Sequence, residues 1–166
     1  MRQITEIIIH CSATREGQDI SVDTIRKWHV EGRGWSDIGY HLYVDINGEI
    51  HGGRDIAKIG AHCKGHNRNS IGICYAGGVE EDGKTPKDTR TEEQKDALLS
   101  VLLTLKAMYP KAIIYSHNEF ANKACPSFDA SGNIAINVLS TCNRLSFCAS
   151  VLVSFGVLPS ASTPPQ

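Results

Sequence analysis

The sequence predicts a single α/β domain, because short apolar runs rich in β-branched residues alternate with segments of helical periodicity. The strand signal lies in Ile4 to His10, with Ile7, Ile8 and Ile9 consecutive, in Ser70 to Ala76, and in Ala112 to Tyr115. The helix signal lies in the stretches behind Ser21 and Thr91. A chain of 166 residues can bury a substantial core in one domain without disulfides as essential supports.

Taken in order, the first run reads as a buried strand that ends at His10. Ser21 then caps a helix in which Val22, Ile25 and Trp28 recur at helical spacing, and Gly32 and Gly34 stop it. His41 to Ile46 and Glu49 to His51 read as antiparallel strands joined by Asn47-Gly48, a turn pair that tolerates positive φ; Tyr40 stands where the first begins. Ser70 to Ala76 reads as the heart of the sheet. Thr91-Glu-Glu-Gln94 is a capping box, and Leu98, Val101, Leu102, Leu105 and Met108 follow it with helical periodicity up to Pro110. After the strand at Ala112 to Tyr115, His117 opens a loop that runs on through Cys125-Pro126.

Composition excludes several classes. With 41% apolar and 21% charged residues and a formal net charge of −1, nothing drives the whole chain toward nucleic acid, so no nucleic-acid partner is expected. Six cysteines without a CxxC pair do not make a disulfide scaffold and are read mostly as thiols. Glu6 interrupts the early apolar run, so no secretory signal is expected and synthesis is placed in the cytoplasm. Beyond Asp129 the only charged side chain is Arg144. Residues 130–166 are therefore separated from the 1–129 domain as a weakly charged tail, a helix followed by a disordered Ser-Thr-Pro-Pro end. Leu145 to Leu158 is too short for a membrane span, which needs about 20 apolar residues.

Histidine and cysteine are the residue types a zinc site needs, since imidazole nitrogen and thiolate sulfur suit a borderline-soft ion. Spacing alone does not select the set. The context does more, because His117-Asn-Glu-Phe-Ala-Asn-Lys-Ala-Cys125-Pro-Ser-Phe-Asp129 places an imidazole, an ammonium and a thiol in one loop. Together with Ile-Ile-Ile-His10-Cys-Ser-Ala-Thr, this segment closely resembles the zinc amidases that include phage N-acetylmuramoyl-L-alanine amidases and the peptidoglycan recognition proteins. Asp37-Ile-Gly-Tyr40-His-Leu-Tyr, the turn Asn47-Gly-Glu-Ile-His-Gly-Gly-Arg54, and Gly60-Ala-His62-Cys-Lys-Gly-His-Asn-Arg-Asn69-Ser-Ile-Gly-Ile-Cys74 extend the resemblance in order and spacing.

The resemblance implies a central mixed sheet flanked by helices, with one Zn2+ in a surface groove held by His10, His117 and Cys125. It implies that Tyr40 and Lys123 assist catalysis. Three protein ligands leave a fourth position for water, which marks a catalytic rather than a closed structural site. The implied reaction is hydrolysis of the amide between N-acetylmuramic acid and L-alanine in peptidoglycan, with Lys123 opposite the developing oxyanion and Tyr40 orienting water or passing a proton to the leaving amine. His62 is expected to line the groove and touch the muropeptide, with a solvated loop histidine as the alternative. His41 is read as structural, and His29, His51 and His66 as surface or supporting residues. Cys11, which alternates with His10 along the strand, is assigned to packing, as are Cys63 and Cys74. Lys58, Lys64 and Arg68 form a basic stretch able to meet an anionic polymer, with a solvated loop as the alternative.

Two other functions compete. Some relatives hold peptidoglycan without cutting it, but this chain keeps Cys125, the ligand whose loss would leave the metal site incomplete. Some phage members also bind a polymerase, and a minor protein partner is carried on that ground alone. The expected place of action is the cell wall, after release through a membrane lesion or delivery by a secretion machine.

Overall fold

The computed structural model describes residues 2–132. The expected tail helix, Cys142 and Cys148 lie outside the described residues. The elements are β1 (Glu6–Cys11), β2 (Thr14–Arg15), α1 (Val22–Arg33), β3 (Leu42–Val44), β4 (Ile50–Gly52), β5 (Ser70–Tyr75), β6 (Gly78–Val79), α2 (Glu92–Met108), β7 (Ile113–Ser116) and a 3-10 turn at His117–Glu119.

Five strands form a mixed sheet in the order β4-β3-β5-β1-β7. All neighbours run parallel except β3 and β4, which the Asn47-Gly48 turn makes antiparallel. Gly48 sits at φ 80°, the conformation that turn requires. The central position of β1 explains its unbroken Ile7-Ile8-Ile9 run: both faces are covered, and all three side chains are fully buried. Ile7, Ile9 and Cys11 join Ile71, Ile73 and Tyr75 of β5 beneath Leu98, Val101, Leu102 and Leu105 of α2. On the opposite face, Ile20, Ile25 and Ile38 pack with Tyr43 and Cys74. Period-two alternation therefore sends Cys11 into the α2 core and His10 to the other side of the sheet.

The helix ends follow the sequence signals. Ser21 Oγ accepts the Thr24 N–H, and Gly34 closes α1 at φ 68°. In α2 the Gln94 N–H donates to Thr91 Oγ1, and the Thr91 N–H donates to Gln94 Oε1, each at 3.1 Å. The same box anchors the helix to the sheet: Thr91 Oγ1 donates to Ile46 O, and Gln94 Nε2 donates to Ala76 O at 2.9 Å.

Several local expectations change. β1 starts at Glu6 and continues one residue past His10. β3 starts at Leu42, so Tyr40 and His41 precede the strand and its alternation does not govern them. Trp28 is 45% exposed, while His29 is buried with Ile25, because the inner stripe of α1 follows the i, i+4 line. The pairing of β2 with β6 was invisible in two-residue segments; it rests on parallel partners Thr14 with Gly78 and Arg15 with Val79.

Candidate metal centre

The centre forms at the ends of β1 and β7. His10 lies near the end of β1, on the face away from α2, and is buried. The chain leaves β7 at Ser116 and turns at once, placing His117 beside it, with the ring centroids 4.4 Å apart. The turn is held by the Ser116 N–H, which donates to Glu119 Oε1 at 2.6 Å.

Cys125 reaches the pair because its loop is tied down along its length. The Cys11 N–H donates to Cys125 Sγ at 3.3 Å. The Tyr75 hydroxyl donates to Pro126 O and the Ser127 hydroxyl to Gly78 O, both at 2.7 Å. The Ala130 N–H returns to Ser116 Oγ at 2.8 Å. Sequence reading did not single out Tyr75 or Ser127, since a tyrosine in an apolar strand and a serine after proline carry no signal of a partner 51 or 49 residues away.

One ligand atom from each of His10, His117 and Cys125 lies within 4.8 Å of the others. Cys125 Sγ is 3.8 Å from His10 Nδ1, close to the separation of about 3.6 Å that tetrahedral zinc bonds to sulfur and nitrogen would set. The donor chemistry also fits a cation. Burial, then His62, His117 and Lys123, hold the His10 pKa well below its ordinary value; burial and Lys123 lower that of His117. Both rings are therefore neutral at neutral pH, the form in which an imidazole nitrogen can bind a cation. Contact with Cys11 and burial push the Cys125 thiol up, so its thiolate needs a cation beside it.

His117 of this set lines a groove of about 690 Å³ together with Arg33, Trp35, His62, Lys64, Phe120 and Lys123, among others. The basic stretch seen in sequence is divided by the fold: Lys64 faces this groove, whereas Arg68 lines a separate depression with Arg2. Lys123 is exposed. The Tyr40 ring lies 5.2 Å from that of His10, and burial followed by the thiols Cys74, Cys125 and Cys11 raises its phenol well above the ordinary value. Tyr40 is consequently a proton-bearing donor at neutral pH. The motif around it is scaffolding: Arg54 donates to the carbonyls of Asp37, Ile38 and Ile59, and the Arg54 N–H donates to Tyr40 O at 2.8 Å.

The remaining histidines have identifiable partners. His41 Nδ1 accepts the Gly72 N–H at 3.0 Å, and its Nε2 lies 3.1 Å from Lys58 O, so the ring ties β5 to the neighbouring loop. His29 Nδ1 accepts the Gly39 N–H. His66 pairs with Glu6 at 2.9 Å and stacks on Phe120. His51 pairs with Asp45 at 2.7 Å, and with Glu49 these form a second set of possible ligand atoms within 4.8 Å. Asp45 Oδ1 is already engaged there, accepting the Asn47 and Glu49 N–H groups of the hairpin turn.

Comparison with known proteins identifies the family and the fold. The family model of N-acetylmuramoyl-L-alanine amidase matches residues 1–128. The endolysin of Escherichia phage T7 is 44% identical over 138 residues, covering 83% of this chain and 90% of the relative. That of Enterobacteria phage K11 is 41% identical over 143 residues, covering 86% and 93%. Among solved structures, the Ph2119 endolysin from Thermus scotoductus MAT2119 bacteriophage Ph2119 superposes with a TM-score of 0.70 at 26% identity, covering 83% of this chain and 86% of that one. The family model's match over residues 1–128, with endolysin relatives 41% and 44% identical over most of both chains, places the chain in the N-acetylmuramoyl-L-alanine amidase family.

Proposed function

We propose that His10, His117 and Cys125 hold one zinc ion, with which the protein hydrolyses the amide between N-acetylmuramic acid and L-alanine in peptidoglycan. The observation that carries the reading is the cluster of three ligand atoms within 4.8 Å at an open groove. Zinc so held supplies Lewis acidity and brings the pKa of water near neutrality.

The chain's own residues supply the rest. Arg33, Lys64 and Lys123 give the groove a cationic character suited to the carboxylates of a peptide stem. Lys123 offers its ammonium to the carbonyl oxygen as negative charge develops there. Tyr40, whose ring lies 5.2 Å from that of His10, is assigned to orient the attacking water. With its phenol raised well above the ordinary value, it is a weaker acid than a free tyrosine for passing a proton to the leaving amine. Trp35 and Phe120 furnish apolar walls. The endolysin relatives support action on the cell wall after release from the cell. Among the described residues no helix is long and apolar enough to cross a membrane.

The test is release of new amino termini from purified peptidoglycan, with the cleaved bond identified by mass spectrometry of the muropeptides. Chelation is expected to abolish release and zinc to restore it, and Cys125→Ser to remove most of the activity. Full activity of the chelated protein, or of Cys125→Ser, would overturn the assignment.

A further inference from the structure

We infer that His62 is a positioning residue for the metal ligand His10, fixing which nitrogen of that ring faces the ion. The inference rests on the zinc reading above. His10 Nδ1 faces Cys125, while His10 Nε2 lies 3.0 Å from His62 Nδ1. With the metal at Nδ1, the His10 ring carries its proton on Nε2, so His62 Nδ1 accepts it. The His62 proton then sits on Nε2, which lies 3.2 Å from Ser70 Oγ, and the serine accepts. The result is a chain of donation from His10 on β1, through His62, to Ser70 on β5.

The His62 ring is held for this task from several sides. A Cβ at Gly72 would come within 2.5 Å of the ring and one at Gly60 within 2.6 Å, so two glycines clear the space it fills. His41, fixed by the Gly72 N–H, meets the ring edge-on with centroids 5.6 Å apart. The backbone is pinned as well, since the His62 and Cys63 N–H groups both donate to Asn67 Oδ1 at 2.9 Å. Both ring nitrogens face protein atoms. His62 thus lines the groove as the sequence suggested, but its hydrogen-bonding capacity is spent on His10 and Ser70.

The experiment measures the zinc dissociation constant of the full-length protein by competition with a chromophoric chelator, alongside kcat and KM on a soluble muropeptide at saturating zinc. His62→Ala is expected to weaken zinc about 10–100-fold, the usual effect of losing such a support, with KM unchanged. His62→Asn places an amide oxygen near the position of Nδ1 and is expected to stay within a few-fold of wild type. His62→Gln puts its oxygen nearer the position of Nε2 and is expected to resemble His62→Ala. The Asn and Gln pair decides the matter if His62→Ala does not fold. Unchanged zinc affinity with a raised KM in the Ala and Gln variants would make the ring a substrate contact and overturn the inference. Failure of the wild-type protein to bind zinc would instead overturn the metal reading on which it rests.

Discussion

Tyr75→Phe isolates what the Cys125 loop owes to the sheet. The substitution deletes one hydroxyl from a fully buried side chain and leaves the ring volume in place. It removes the 2.7 Å hydrogen bond to Pro126 O, the residue next to Cys125, and leaves that buried carbonyl without its donor. The expected cost is about 1–3 kcal/mol, since an orphaned acceptor loses more than the net value of the bond. Tyr43→Phe is the control: its hydroxyl donates to Ile20 O, also at 2.7 Å and also buried, but on the α1 side of the sheet. Urea unfolding of the metal-free proteins should show similar destabilisation in both variants. Zinc competition should separate them: affinity is expected to fall up to about tenfold in Tyr75→Phe, corresponding to about 1.4 kcal/mol, and to hold in Tyr43→Phe. Equal zinc affinities, or unchanged stability in Tyr75→Phe, would refute the argument that this bond positions the ligand loop.

Leu102→Ala empties a fully buried position in the α2 core and is expected to cost about 2–5 kcal/mol in urea unfolding, without altering the zinc affinity of the folded protein. Stability of the metal-free protein is expected to fall on acidification. Burial pushes His41 and His29 down to about 4 in the folded state, whereas the unfolded chain titrates near 6.5. Between those values the unfolded state binds protons that the folded state refuses, so the stabilisation is complete above about pH 6.5 and is lost toward pH 4. For well-buried His41 the loss is at most about 3 kcal/mol. Urea midpoints that do not change between pH 7 and pH 5 would contradict it.

Much of the fold is local in origin and therefore legible. The Ile7-Ile8-Ile9 run, the Asn47-Gly48 turn and the Thr91-Gln94 box each state a short-range preference, and the sheet honours all three. Trp28 shows where that reasoning stops: helical periodicity marks a stripe only approximately, and packing against the sheet chose Ile25 and His29 instead.

The sequence by itself determined the residue types of the centre and their family context: an imidazole near the end of a strand, and a second imidazole, an ammonium and a thiol in one later loop. It could not say which histidines meet, because the contact between His10 and Cys125 spans 115 positions and depends on β1 lying between β5 and β7. Only the tertiary structure decided that Tyr75 and Ser127 hold the ligand loop, that Lys64 and Arg68 face different depressions, and that His62 turns its Nδ1 to His10. Those facts belong to side chains brought together by parallel pairing, in which neighbours in space are far apart along the chain and no local pattern records them.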